Sequence, residues 1–368
     1  MFKYFMPTKI FTGEYAVIEN KKELILGKSC MIVTGKSSGA KSGALADVTK
    51  VLSDNGISYT VYDKVGNNPT IEECADGGKA ARECGCDFLI GIGGGSPLDA
   101  CKAIAVYAAN EPNETDFKLY DIYSGKYPNK PLPMAAIPTT AGTGSETTPY
   151  SILTLHKEQT KKSFSSPDVF YKVAFLDGRY TVNLPLQIAR NTAIDAMSHM
   201  LEGLTNKKAC PSSDYIALEG LRIIGKHANA LCTGDFNVDI CTELLWAASL
   251  GGIVISQTGT TIVHSMGYSL TYHKDIPHGM ANGLLLGEYL EHTKEVLPEK
   301  TAAYEEALGM NLSKIKEFLK YCLPCSVSFS ESELKEWAKT SIKARNVPTC
   351  PFDITYDNEV DIYKKCLL

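Results

Sequence analysis

Residues 88–103 read FLIGIGGGSPLDACKA: an apolar run passes directly into four glycines among five positions, and a helical pattern carrying Asp99 and Lys102 begins at once. Strand, glycine loop and helix in that order aim backbone N–H groups at a phosphate. A tight turn accounts for one or two glycines, not four. The spacing is not G-x-G-x-x-G, so the stretch is read as the pyrophosphate loop of another nucleotide fold, with Gly94, Gly95, Ser96 and Asp99 at the ligand.

Working outward, similar apolar runs recur at Ser29 to Thr34, Ser58 to Tyr62, Met134 to Pro138 and Val173 to Asp177, each separated by helical texture. Strands alternating with helices predict a parallel, doubly wound sheet. After Pro185 the texture changes to long amphipathic segments: Leu186 to Leu204, Ser213 to Ala230, Ile240 to Ile255 and Ser332 to Arg345. The expected fold class is α/β plus all-α, with an α/β domain over 1–180, a helical domain over 181–368 and the boundary near 178–185.

Two more loops stand at strand ends, where open α/β sheets bind ligands. Pro138 to Glu146 (PTTAGTGSE) offers the hydroxyls of Thr139, Thr140 and Thr143, with Tyr150 shortly after. Gly35 to Ser42 (GKSSGAKS) resembles a P-loop but has Ala40 where G-x-x-x-x-G-K-[ST] requires glycine, which argues against a phosphotransferase. Three such loops make a dinucleotide the economical ligand.

In the second half, Asp195 and His199 stand four apart in a helical stretch and so share a face. His264 and His278 follow, fourteen residues apart. Each alone has an ordinary reading as a core or surface residue. Among only seven histidines, and with no HExxH, the four together suggest a one-carboxylate, three-imidazole site suited to Fe(2+) or Zn(2+).

Composition limits the rest. The 368 residues are 44% hydrophobic and 21% charged, the balance of a folded globular chain. A net charge of −5 without a basic block speaks against nucleic acid. The N-terminus MFKYFMPTKIF lacks signal-peptide organisation, and no apolar stretch is expected to suit a bilayer. Twelve cysteines scattered through a long chain suggest reduced thiols and a cytoplasmic location. Cys322 and Cys325 form a lone CxxC, taken as structural.

The segments GIGGGSPLDACKA (91–103), IPTTAGTGSETTPYSI (137–152), AIDAMSHMLEG (193–203) and VHSMGYSLTYHKDIPHGMANG (263–283) together resemble the iron-containing (group III) metal-dependent alcohol dehydrogenases over essentially the whole chain. The resemblance implies a Rossmann-like dinucleotide-binding domain, a helical metal-binding domain, a small alcohol or aldehyde substrate and a homodimer. It also implies that Asp195, His199, His264 and His278 hold the metal. Where many such enzymes carry a relay histidine four residues after the third ligand, this chain has Tyr268, with His273 nearby as the other relay candidate. Where NAD-preferring members carry an acidic residue after the first strand, this chain has Gly35, followed by Lys36, Ser37 and Ser38. Such donors favour NADP(H) over NAD(H). Lys161, or Lys162 in a shifted register, is the expected cofactor-side lysine.

A dehydroquinate-synthase-like lyase would want Arg/Lys around the metal to hold an anionic sugar phosphate; the stretches here offer Met, Tyr, Ser and aliphatic residues instead.

Overall fold

The central strands are apolar on both faces, which buries them between layers. In the computed structural model, which describes residues 2–112, 117–158 and 160–368, six strands form one parallel sheet. They are β1 (Lys9–Thr12), β2 (Ser29–Gly35), β3 (Ser58–Val65), β4 (Phe88–Gly93), β5 (Met134–Pro138) and β8 (Val173–Leu176), in the order β1-β8-β5-β4-β2-β3. Cys30, Ile32, Phe88 and Ile90 pack into one hydrophobic cluster, while Met31, Val33 and Leu89 pack into another. This is the alternation expected when both sheet faces are covered.

Five strands stand where the sequence places them. β1 was not anticipated: its four residues, KIFT, are too few to show a period. The antiparallel hairpin of β6 (Tyr150–Leu155) and β7 (Thr160–Ser165) also lies outside the expectation. It anchors beneath β4 and the helix that follows it, α1 (Gly95–Ala109), because Asp99 receives Ile152 N–H at 2.9 Å and the Ser151 hydroxyl donates to Asp99 O at 2.8 Å.

The chain divides into two compact units. The α/β unit comprises Met6–Asn183 and Asn237–Trp246; the helical unit comprises Met1–Phe5, Leu184–Phe236 and Ala247–Leu368. The chain passes from one unit to the other at 183/184, and the division is not one cut. Residues 237–246 belong to the α/β unit, where Gly178 N–H donates to Thr242 Oγ1 at 3.2 Å. Residues 1–5 belong to the helical unit, where Phe5 N–H donates to Gln257 Oε1 at 3.0 Å and Gln257 Nε2 donates to Phe5 O at 2.9 Å.

The helical unit contains α2 (Leu186–Thr205), the end of α3 (Val238–Thr258), α4 (Ile262–Lys274), α5 (His278–Val296), α6 (Glu331–Ser341) and α7 (Tyr356–Leu367), with further helices between them. The expected helix over 213–230 is interrupted at His227: the structure has Pro211–Lys226 and then Ala228–Thr233. One expectation needs correcting. α3 is 21 residues long with a mean hydropathy of 1.6 in its most apolar window, enough by length and composition to cross a bilayer. Two-thirds of that window is buried inside the protein, as in a core helix.

Candidate functional site

The four residues expected to hold a metal come from three helices of the helical unit. Asp195 and His199 lie one turn apart on α2, His264 is in the first turn of α4, and His278 opens α5. Their convergence depends on how closely α5 approaches α2. At Gly279, directly after His278, a Cβ would stand 1.9 Å from the Asn191 carbonyl oxygen and 2.9 Å from the Asp195 Cβ. Only glycine permits that approach, so the Pro-His-Gly sequence brings His278 to Asp195.

One donor atom each from Asp195, His199 and His264 lies within 4.8 Å of the others. Asp195 Oδ1 is 3.9 Å from His264 Nε2 and 3.9 Å from His278 Nε2. Two donors on opposite sides of one ion at ~2.1 Å stand at most about 4.2 Å apart, so both separations are compatible with a shared ion. The His199 and His264 rings stack at 4.7 Å and 24°, and those of His264 and His278 meet edge-on at 5.3 Å and 70°. The first three residues are buried and His278 is a quarter exposed. A carboxylate and three imidazoles, arranged this way, fit a divalent first-row cation.

Burial pushes the Asp195 carboxyl up, but His199, His278, His264 and Asn282 outweigh it and hold it below the usual carboxylate range. It is therefore an anion and a competent ligand. Burial alone would also push His264 down, yet Glu202 reverses the direction.

Two residues of this site were not anticipated. Glu202, fully buried on α2, accepts from Thr261 N–H at 2.8 Å, from the Thr261 hydroxyl at 2.6 Å and from His264 Nδ1. That last bond keeps the proton on Nδ1 and leaves the Nε2 lone pair for a metal, a carboxylate–histidine–metal arrangement. Asn282, fully buried on α5, places Nδ2 3.0 Å from Asp195 Oδ1 and 3.2 Å from Nε2 of both His264 and His278. The sequence did carry a signal for it: His278 and Asn282 are spaced i,i+4, as Asp195 and His199 are.

Tyr268 lies at this cluster, its partly exposed ring stacked on His278 at 5.3 Å and 14°. His273 lies further along α4; its ring stacks on Trp337 of α6 at 5.4 Å and 4°. Of the two relay candidates, the structure brings Tyr268 to the metal residues.

The residues expected at the cofactor belong to the α/β unit. β4 ends at Gly93 and α1 starts at Gly95, so Gly94, Gly95 and Ser96, all partly exposed, form the helix N-terminus. Thr139 N–H donates to Gly93 O at 3.0 Å, which sets the loop carrying Thr139, Thr140 and Thr143 beside the glycines. Ser96 Oγ accepts from Asn68 N–H at 3.2 Å, and Asn68 Oδ1 accepts from Lys161 Nζ at 2.8 Å. Lys161 is thereby tied to the glycine loop. Lys162 lies over the Tyr123 ring at 5.0 Å instead, so the register places Lys161 on the loop side. Gly35 closes β2, and Lys36, Ser37 and Ser38 are exposed just beyond it. Tyr150 begins β6 and is partly buried.

Asp99 does not meet the expectation of facing a phosphate. Its Oδ1 accepts from the Ser145 hydroxyl at 2.6 Å and its Oδ2 accepts from Ile152 N–H. The fully buried Lys102 completes this network, donating to Ser145 Oγ at 2.9 Å, Thr148 Oγ1 at 3.1 Å and Tyr150 O at 2.6 Å. A carboxylate beside a pyrophosphate would repel it; turned inward, Asp99 and Lys102 brace the Pro138–Glu146 loop.

Comparison with known proteins gives a consistent picture. The family model described as iron-containing alcohol dehydrogenase matches residues 7–178, and that for the C-terminal part of the Fe-containing family matches residues 189–322. A 1,3-propanediol dehydrogenase from Klebsiella pneumoniae is 30% identical over 85% of this chain and 81% of its own length. A lactaldehyde reductase from Escherichia coli (strain K12) is 31% identical over 77% and 73%. The crystal structure of an iron-containing alcohol dehydrogenase from Thermotoga maritima superposes with a TM-score of 0.91 at 37% identity, covering 100% of this chain and 99% of that one.

Proposed function

The chain belongs to the iron-containing alcohol dehydrogenase family, and from that premise we propose that it interconverts a small primary alcohol and its aldehyde by hydride transfer with NADP(H). The observation that carries this reading is the convergence of Asp195, His199, His264 and His278, with Glu202 fixing the proton on the far nitrogen of His264. A divalent Fe(2+) or Zn(2+) ion held by these four residues supplies a Lewis acid for the substrate oxygen.

The protein's own groups do the rest. Asp195 contributes the single negative charge among the four ligands, and the buried Glu202 carboxylate contributes a second one behind His264. Tyr268, packed on His278, is the side chain we assign to proton exchange or substrate contact beside the ligands. His273 we assign to the packing of α4 on α6. The N–H groups that open α1 suit a pyrophosphate. Lys36, Ser37 and Ser38 offer an ammonium and two hydroxyls where an acidic residue would repel a 2′-phosphate. The comparatively apolar surroundings of the ligands favour a small, weakly polar substrate. All twelve cysteines are free thiols, which supports a reducing compartment, the cytoplasm.

The test is steady-state turnover of the anaerobically metal-loaded protein, with NADPH and NADH compared across short aldehydes. Oxidation of NADPH with kcat/KM above that for NADH is expected. No turnover of any aldehyde or primary alcohol with either nucleotide would refute the proposal.

A further inference from the structure

The side-chain amide of Asn282 lies among the proposed ligands, and neither packing nor helix stability calls for it there. Asn is a modest helix former, and this one is fully buried. Its Oδ1 accepts no hydrogen bond among the described residues and lies so close to Gly267 that a Cβ there would stand 2.2 Å from it. An unsatisfied buried carbonyl of this kind is destabilising. The other end of the amide must offset that cost, and it faces three acceptors: Asp195 Oδ1 at 3.0 Å and the two Nε2 atoms of His264 and His278 at 3.2 Å.

We propose that Asn282 is a positioning residue of the metal site: before an ion binds, its amide N–H groups hold Asp195 Oδ1 and keep the ring proton of His264 and His278 off Nε2, so that the ion displaces an N–H contact rather than a ring proton. This rests on the metal-site reading above. An N–H facing Nε2 is compatible with an imidazole whose proton is on Nδ1 and clashes electrostatically with one protonated on Nε2. At His264, Glu202 enforces the same tautomer from the opposite side of the ring by accepting the Nδ1 proton. Before an ion binds, the reverse amide orientation would set an oxygen acceptor against a carboxylate oxygen and two ring nitrogens, so the N–H end points inward in that state. The 3.0–3.2 Å separations are those of hydrogen bonds. Gly267 is the second part of the arrangement, since only a residue without a side chain leaves room for Oδ1.

The test combines chelator-competition titration of Co(II) with the ¹⁵N chemical shifts of the histidine rings in chelator-treated protein, for the wild type, Asn282→Leu and Gly267→Ala. Asn282→Leu should weaken Co(II) binding about 10- to 100-fold. The shifts should show His264 and His278 protonated on Nδ1 in the wild type and an Nε2–H population appearing in the variant. Gly267→Ala leaves every ligand intact and displaces only the amide, so it should move both readouts the same way even if Asn282→Leu folds poorly. Variants that bind Co(II) within twofold of the wild type with unchanged tautomers would overturn the role of Asn282. A wild type that binds no Co(II) would instead overturn the metal reading itself.

Discussion

Replacing Glu202 by Gln separates charge and proton acceptance from shape. Glu202 is fully buried and accepts four hydrogen bonds, two from Thr261, one from the His264 backbone N–H at 3.4 Å and one from His264 Nδ1. Gln keeps the volume, and its oxygen can retain Thr261. Its NH₂ then faces His264 Nδ1, which cannot stay protonated against a donor, so the ring proton moves to Nε2. That proton occupies the lone pair the metal needs. The loss is one charge-assisted hydrogen bond, roughly 1.5–3 kcal/mol. At about 1.4 kcal/mol per tenfold, this is a roughly 10- to 100-fold weaker metal site. The assay is chelator competition with Zn(II) or Co(II), paired with thermal unfolding of the chelator-treated protein to confirm an intact fold. Metal affinity within a factor of two of the wild type, in a folded variant, would refute the tautomer argument.

Two other perturbations follow from the structure. Burial pushes the Glu359 carboxyl up from 4.5 to about 7, against a hydrogen bond from Ser341 that lowers it. The folded state thus holds a proton that the unfolded chain has lost. Stability should fall as pH rises from about 4.5 through 7, by up to about 3 kcal/mol. Glu359→Gln should flatten that part of the pH profile of the melting temperature and exceed the wild type at pH 8, whereas an unchanged slope would contradict it. At the end of β2, Gly35→Asp sets a carboxylate beside Lys36 and Ser37; a Cβ there meets Ser38 Oγ at 3.1 Å and stands at ordinary contact distance from Val65 O at 3.7 Å and Pro97 Cγ at 3.9 Å. The ratio of kcat/KM for NADPH to that for NADH should drop at least about tenfold, the loss of one charge-assisted contact to the 2′-phosphate. An unmoved ratio would place cofactor choice elsewhere.

The readable parts of the sequence were those whose physics is local. β2, β4 and β5 are apolar runs because both sheet faces are covered, and α2 announces its ligands because Asp195 and His199 are one turn apart. β1 escaped notice because four residues carry no period and its place depends on pairing with β8, more than 160 residues away. Glu202 escaped because a scan for ligands asks which side chains can bind an ion, not which can receive the proton a ligand must keep on its other nitrogen. Its partner His264 lies 62 residues away, in another helix. Asp99 was misjudged for a related reason: beside a glycine loop a carboxylate looks like a ligand residue, and only the hairpin at Ile152 and the hydroxyl of Ser145 show where its oxygens point. His273 and Tyr268 were equivalent in sequence, and ring contacts separated them.

The four-residue metal site is the centre of this reading, and metal stoichiometry tests it most directly. Elemental analysis of anaerobically purified protein should find one iron or zinc ion per wild-type chain and less than about a tenth of that in a folded His264→Ala variant, the occupancy expected when a ligand is removed. A metal-free wild type that still oxidises NADPH with an aldehyde, or a His264→Ala variant that keeps its full complement of metal, would contradict it.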